Sequence, residues 1–229
     1  MKRTVIAVAS IAVIGLSGAE LLHQGFENPD FFAARNSNNY TIAPAGTDGK
    51  WCNMTEKLVS DEQAAEGKYS FKMTKQTGKS QHIELALPEF DGPGELEIWF
   101  YREPENNFSF ALLGNKLADG HIAGLGIWDK SRQYAYYDTA AKKWQRTGLK
   151  SPAETWQRVV IRFNADKSKA EVLVGDMDKL EKLAEVTPPA GVPIRRVWFN
   201  EHLDAEPGSS VFFDEIKLTT PDSATAGDQ

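Results

Sequence analysis

From Lys68 to Leu218, apolar and polar residues alternate in short runs, each closed by glycine, proline, asparagine or aspartate. Successive strand side chains point to opposite faces, so this period of two marks half-buried strands. Candidate strands cover residues 68–75, 82–87, 95–102, 108–114, 122–128, 133–138, 156–164, 169–174, 195–200 and 211–219, with an earlier one around 22–27. The breaks have a mechanism: Asp91-Gly-Pro-Gly94 and Asp129-Lys-Ser-Arg132 hold residues that tight turns favour. Many short, evenly spaced strands without a long helical period predict an all-β chain folded as a two-sheet antiparallel β-sandwich, a jelly roll. Residues 176–185 read equally as a helix, through Leu180 and Leu183, or as a loop and edge strand.

The same alternation sorts the aromatic residues. In Glu95-Leu-Glu-Ile-Trp-Phe-Tyr-Arg102, Leu96, Ile98 and Phe100 share one face, while Glu97, Trp99 and Tyr101 share the other. In Trp156-Gln-Arg-Val-Val-Ile-Arg-Phe163, Val159, Ile161 and Phe163 read as core, opposite Trp156, Arg158 and Arg162. Val197 and Phe199 read as core, opposite Arg196, Trp198 and Asn200. Much of the tryptophan is thereby expected to face away from the core, beside guanidinium, carboxylate and amide groups. Sugar rings stack their C–H faces on indole or phenol, and their hydroxyls need convergent donors and acceptors.

The ends bound the folded part. Lys2 and Arg3 precede an apolar run over residues 4–16, and Ser17-Gly18-Ala19 offers small residues at a cleavage position. This pattern predicts a signal peptide over residues 1–19, cut before Glu20, and no membrane span afterwards. Residues 20–220 then form one domain, and residues 221–229, small and acidic, read as a disordered tail. Export implies a secreted or periplasmic protein, with a bacterial envelope favoured by the single cysteine, Cys52, which rules out an internal disulfide. That thiol reads as buried and inert, because no histidine-containing motif brackets it. The net charge of −6 argues against nucleic acid as a partner.

Several segments resemble one family. Gly25-Phe-Glu27 is similar to its opening strand, and Val59-Ser-Asp-Glu followed by Glu66-Gly-Lys-Tyr-Ser-Phe-Lys72 resembles its loop, glycine and ordered strand. Val211-Phe-Phe-Asp-Glu-Ile-Lys-Leu218 is similar to its closing strand, and the Trp156-led segment to a strand common in laminin-G-like folds. Together they look like the concanavalin A-like, laminin-G-like jelly rolls and the related carbohydrate-binding modules. The resemblance implies that fold. It also implies a structural Ca²⁺ held by Glu27, the backbone carbonyl around Lys68, and Asp214, the hard oxygen donors calcium prefers. It leaves the ligand open, because the fold hosts lectins, hydrolases, lyases and structural modules.

The function expected is non-catalytic recognition of a polysaccharide or glycoconjugate on a concave aromatic face. Trp99, Tyr101, Trp128, Tyr134, Tyr136, Trp156 and Trp198 are the stacking candidates. Glu84, Glu97, Arg158, Arg162, Arg196 and Asn200 are the polar ones, and the arginines would favour an acidic or sulfated glycan. An envelope lyase or glycoside hydrolase is the alternative, with a structural or protein-interaction module as the third reading. A lyase would need His82, Glu84 and Tyr101 to converge. Glu89-Phe-Asp-Gly-Pro-Gly-Glu95 superficially resembles a hydrolase's paired carboxylates, but its Gly-Pro-Gly insert makes a turn and separates them. His121 and His202 have no partner at metal-ligand spacing and read as loop or surface residues.

Overall fold

The structure is a computed structural model describing residues 18–29, 40–42, 49–52, 58–77, 81–114, 121–128, 130–201 and 205–221. Its strands in chain order are β1 (Gly18–Gln24), β2 (Tyr40–Ile42), β3 (Gly49–Cys52), β4 (Val59–Ser60), β5 (Ser70–Thr74), β6 (Gln81–Phe90), β7 (Gly94–Arg102) and β8 (Phe108–Leu113). They continue as β9 (His121–Trp128), β10 (Gln133–Asp138), β11 (Lys143–Lys150), β12 (Gln157–Phe163), β13 (Ala170–Gly175), β14 (Leu180–Val186), β15 (Ile194–Glu201) and β16 (Ser210–Pro221). All the pairings are antiparallel. One sheet runs β14-β13-β12-β7-β16-β5-β4, with β1 also paired to β16; the other runs β11-β10-β9-β8-β15-β6-β3-β2. We call them the β16 sheet and the β15 sheet.

The two sheets enclose the residues that alternation assigned to the core. Leu96, Ile98, Phe100, Val159, Ile161, Phe163, Val197 and Phe199 are all buried. A layer of phenylalanines joins the sheets: Phe199 lies 4.6 Å from Phe213 between ring centroids, and Phe108 lies 5.0 Å from Phe100 and 5.2 Å from Phe213. Burial of these rings with the aliphatic core is the main favourable contribution to holding the sheets together.

β16 is the spine of its sheet. It pairs with β7 along most of its length, with β5 up to Phe213 and with β1 from Ile216 onward. A bulge lies where these neighbours change: the register slips between Asp214 and Lys217, and Glu215 adopts a left-handed φ of 47°. The Glu215 carboxylate is held by His23 at 2.7 Å and Lys217 at 2.5 Å. Burial would raise its pKa, but these two partners outweigh burial and hold it below the usual range. Bulges of this kind let one long strand serve two partners.

Residues 176–185, read as helix or edge strand, form the latter. Asp176 accepts N–H groups from Asp178 and Lys179, closing the turn into β14. A side chain at Gly175 would collide with the Lys179 carbonyl, 1.8 Å from where its Cβ would stand. The opening strand begins at Gly18, and Gly18 and Ala19 pair with Pro221 and Thr220. Cleavage before Glu20 would leave the register from Glu20 and Thr219 inward intact. Residues 1–17 of the expected signal peptide and residues 222–229 of the expected tail lie outside the described residues, as does the Cys52 side chain. Among the described residues, no helix is long and apolar enough to cross a membrane.

Candidate functional site

The expected ligand-binding residues separate onto the two outward faces of the sandwich. β7 and β12 belong to the β16 sheet, whereas β6, β9, β10 and β15 belong to the β15 sheet. Stacked sheets stand about 10 Å apart, so groups on opposite outer faces cannot share one ligand.

The outer face of the β16 sheet holds Glu97, Trp99, Tyr101, Arg158 and Arg162, and these groups engage one another. Trp99 is only 6% exposed, and its indole N–H donates to Glu97 at 2.6 Å. Glu97 also pairs with Arg158 at 3.3 Å. Arg162 pairs with Glu95 at 2.6 Å and reaches Glu171 at 4.0 Å. Asp214, opposite Trp99 in register, accepts the Ala65 N–H at 2.9 Å and so pins that loop over this part of the sheet. Tyr101 is half-buried, with Trp156 and Phe212 each 5.8 Å away between ring centroids. This face is a packed, charge-paired surface.

The outer face of the β15 sheet is built differently. Its floor is made of small residues in register: Ser109 and Ala111 on β8, Gly124 and Gly126 on β9, and Ala135 on β10. A Cβ on Gly126 would stand 3.0 Å from that of Ser109, so the floor has no room for larger groups. Rings close in over it from both sides. Trp128 on β9 and Trp144 on β11 lean across Ala135 until their centroids are 5.5 Å apart, tilted by 31°. Trp198 on β15 stacks on His121 at 5.4 Å, and His121 in turn meets Tyr137 at 4.5 Å and Trp144 at 5.8 Å. His82 lies on the Trp198 side, at 6.2 Å. Trp128, Trp144, Tyr137 and Trp198 are all half-buried, leaving ring surface toward solvent.

The polar groups on this face differ in how they are engaged. Arg196 pairs with Glu84 at 2.7 Å. Asn200 stands between Ser109 and His82 in register. Ser109 Oγ, both side-chain amide atoms of Asn107 and His121 Nδ1 are buried and find no hydrogen-bond partner among the described residues. Their hydrogen-bonding capacity is unspent, in a fold where most buried polar atoms are satisfied. Burial also pushes the His121 imidazole below its ordinary pKa, favouring the neutral ring.

Of the expected residues, then, Glu84, Trp128, Arg196, Trp198 and Asn200 share the β15 face. Glu97, Trp99, Tyr101, Arg158 and Arg162 sit on the opposite one. Tyr136 belongs to neither: it pairs with Leu125 and packs against the core, and Tyr134 is buried with its hydroxyl on Gln157 at 3.3 Å. The outward tyrosine of that strand is Tyr137. Three members of the cluster went unread in the sequence: Tyr137, Trp144 and His121, the last expected on a loop or the surface. The trio required by a lyase is split, with His82 and Glu84 on the β15 sheet and Tyr101 across the sandwich.

Of the residues expected to hold calcium, Glu27 and Asp214 both accept hydrogen bonds from the backbone of residues 65–69. Glu27 accepts the N–H groups of Lys68 at 3.0 Å and Tyr69 at 3.1 Å. Asp214, fully buried, accepts those of Ala65 and Glu215, both at 2.9 Å. A calcium ion takes roughly six to eight oxygen donors, carboxylate and carbonyl. Both carboxylates of the expected calcium set are thus engaged with backbone N–H groups. No cluster of three or more His, Cys, Asp or Glu suited to a metal exists among the described residues.

No family model matches the sequence, and no curated protein matches it. Solved structures share its fold. A lectin from Bauhinia forficata in complex with GalNAc superposes with a TM-score of 0.53 at 8% identity, over 88% of this chain and 98% of that one. Lectin II from Ulex europaeus gives 0.50 at 8% identity, over 80% of this chain and 96% of its own. A sialidase gives 0.52 at 9% identity, but this chain spans only 17% of the sialidase chain. At such identities the likeness establishes fold alone, and the fold is the concanavalin A-like jelly roll that the sequence resemblance implied.

Proposed function

We propose that this chain is an exported, non-catalytic carbohydrate-binding protein whose ligand stacks on the outer face of the β15 sheet. One observation carries the reading. Rings from four strands, Trp198, Trp128, Tyr137 and Trp144, gather half-exposed over a floor of small residues. Indole faces held in this way suit the C–H faces of a sugar ring, while Asn200, His82 and the Arg196–Glu84 pair flank them with donors and acceptors. The Bauhinia lectin, which shares the fold, was solved with GalNAc. Export rests on the sequence pattern of residues 1–19.

A glycan-array screen of the mature chain tests the reading, run beside Trp198→Ala. Binding to a defined set of glycans, lost in the variant, is the expected result. An array without signal, or signal unchanged in the variant, would remove the β15 face as the site.

A further inference from the structure

We propose a second ligand site, independent of the aromatic face: a cleft at the side of the sandwich that takes an amphipathic anion, an alkyl chain ending in a carboxylate. β11 is an end strand of the β15 sheet and β14 an end strand of the β16 sheet. Between these two edges lies a cleft of about 490 Å³, a size within the range of small-molecule sites. Its depth is apolar. Tyr134 on β10, Val174 on β13 and Leu183 on β14 line it, and all three pack with the apolar cluster between the sheets. The buried polar side chains of the lining, Tyr134 and Gln157, are already engaged. The Tyr134 hydroxyl donates to Gln157 Oε1 at 3.3 Å, and Gln157 Nε2 donates to the Trp156 carbonyl at 3.0 Å. A hydroxyl-rich ligand placed there would give up its water for few free partners, whereas an alkyl chain gives up none.

A bulge in β11 shapes the mouth. Arg146 pairs in register with Ala135, yet Lys150, four residues on, pairs with Gln133, only two residues away on β10. The extra residues are absorbed at residues 147–149. There Gly148 adopts a left-handed φ of 81°, the Thr147 hydroxyl donates to the Tyr134 carbonyl at 3.0 Å, and the Leu149 N–H donates to the Thr147 hydroxyl at 3.2 Å. Bulges recur where a strand must re-aim a side chain toward a site. Here the bulged segment puts Leu149 in the lining, although that side chain is 53% exposed. Met177, 55% exposed, is the next residue after Asp176, another lining residue. Two of the three large apolar side chains exposed among the described residues thus border this one cleft. Exposed apolar groups gathered round a cleft, rather than scattered singly, mark a binding surface.

The charges round the cleft leave one cation for a ligand. Glu181 pairs with Lys179 at 2.5 Å, and Lys182 with Glu171 at 2.8 Å. Asp176 accepts the N–H groups of Asp178 and Lys179, closing its own turn. Lys150 lines the cleft beside Leu149, is exposed, and enters no ion pair among the described residues. A carboxylate can meet Lys150 at the mouth while its chain lies against Leu149, Val174 and Leu183.

Isothermal titration of the intact mature protein tests this, with octanoate, octanol and acetate as separate probes, each below any concentration at which it forms micelles. Saturable binding of octanoate is expected, with none of acetate, and octanol should bind about three- to fivefold more weakly, the worth of one exposed ion pair. K150Q should weaken octanoate by the same factor and leave octanol unchanged. L149S should weaken both, and Trp198→Ala neither, all three variants keeping the wild-type melting temperature. Octanol bound as tightly as octanoate, or K150Q without effect, overturns the choice of an anion. No saturable binding of either chain, or binding lost in Trp198→Ala and kept in L149S, overturns the cleft as the site. Neither result bears on glycan retention, which the array measures separately.

Discussion

His121 stacks on Trp198 with 5.4 Å between ring centroids and 29° between planes, although one belongs to β9 and the other to β15, with β8 between them. The same imidazole meets Tyr137 and Trp144 from the other side. It is the contact that ties the Trp198 side of the aromatic face to the β10–β11 side. His121→Ala is expected to lose about 1 kcal/mol for each ring pair broken, and to weaken glycan binding by letting Trp198 and Trp144 move apart. Unfolding curves and glycan retention on the same variant measure both. Unaltered retention would show that the rings hold their places without it.

The same histidine gives a pH signature. Burial keeps its folded-state pKa below its ordinary value. The unfolded chain therefore takes up a proton first as pH falls through about 6.5, and stability drops with it. The contribution is whole above that pH and is lost below it. His121→Gln should flatten this part of the stability profile, measured by thermal unfolding across the range. An unchanged slope would place the titration elsewhere.

Trp99 illustrates what alternation can and cannot show. It was expected to stack on ligand; it does point away from the core, but it is covered and bonded to Glu97. Trp99→Ala should therefore cost about 3–5 kcal/mol, as large buried aromatics do, with glycan retention per folded molecule unchanged. Normal stability with lost retention would reverse that assignment.

The contrast between Trp99 and Trp198 marks how far the sequence reaches. A period of two tells which side of its own strand a residue takes, so Leu96, Ile98, Val159 and Phe199 were legible as core. It does not tell which of two sheets a strand joins. Glu97 and Glu84 therefore looked equivalent, though the whole sandwich lies between them. In Tyr134-Ala-Tyr-Tyr137 two tyrosines share the inward parity and a third has the outward one; only the register of Tyr136 with Leu125 decides. Trp144 was missed because β11 is an exposed edge, where neither face demands apolar residues and the alternation is lost.

The β16 junction offers a separate test. Burial raises Asp214 from 3.8 to about 6, so the folded state holds this proton more tightly than the unfolded one. Wild-type stability then carries a component of about 3 kcal/mol that declines as pH rises from about 4 to about 6 and is level above. Asp214→Asn lacks that component, so its deficit relative to wild type should shrink as pH rises over that interval. A deficit independent of pH would contradict the shift.

Glu27 grips the same loop through the N–H groups of Lys68 and Tyr69. Glu27→Gln should lower stability by at most about 1 kcal/mol, because a neutral amide oxygen replaces the charged acceptor at an exposed site. Wild-type melting unchanged by a chelator would leave the junction to these hydrogen bonds alone. A chelator-induced drop that disappears in Asp214→Asn would instead assign the junction to a calcium ion.

Alanine substitution of one half-buried ring on each outer face tests the central claim most directly. Trp128 stands for the β15 face and Tyr101 for the β16 face, each scored by polysaccharide retention with melting temperature as the control for folding. Trp128→Ala is expected to lose retention and Tyr101→Ala to keep it. Loss with Tyr101→Ala and none with Trp128→Ala would put the saccharide on the opposite side of the sandwich.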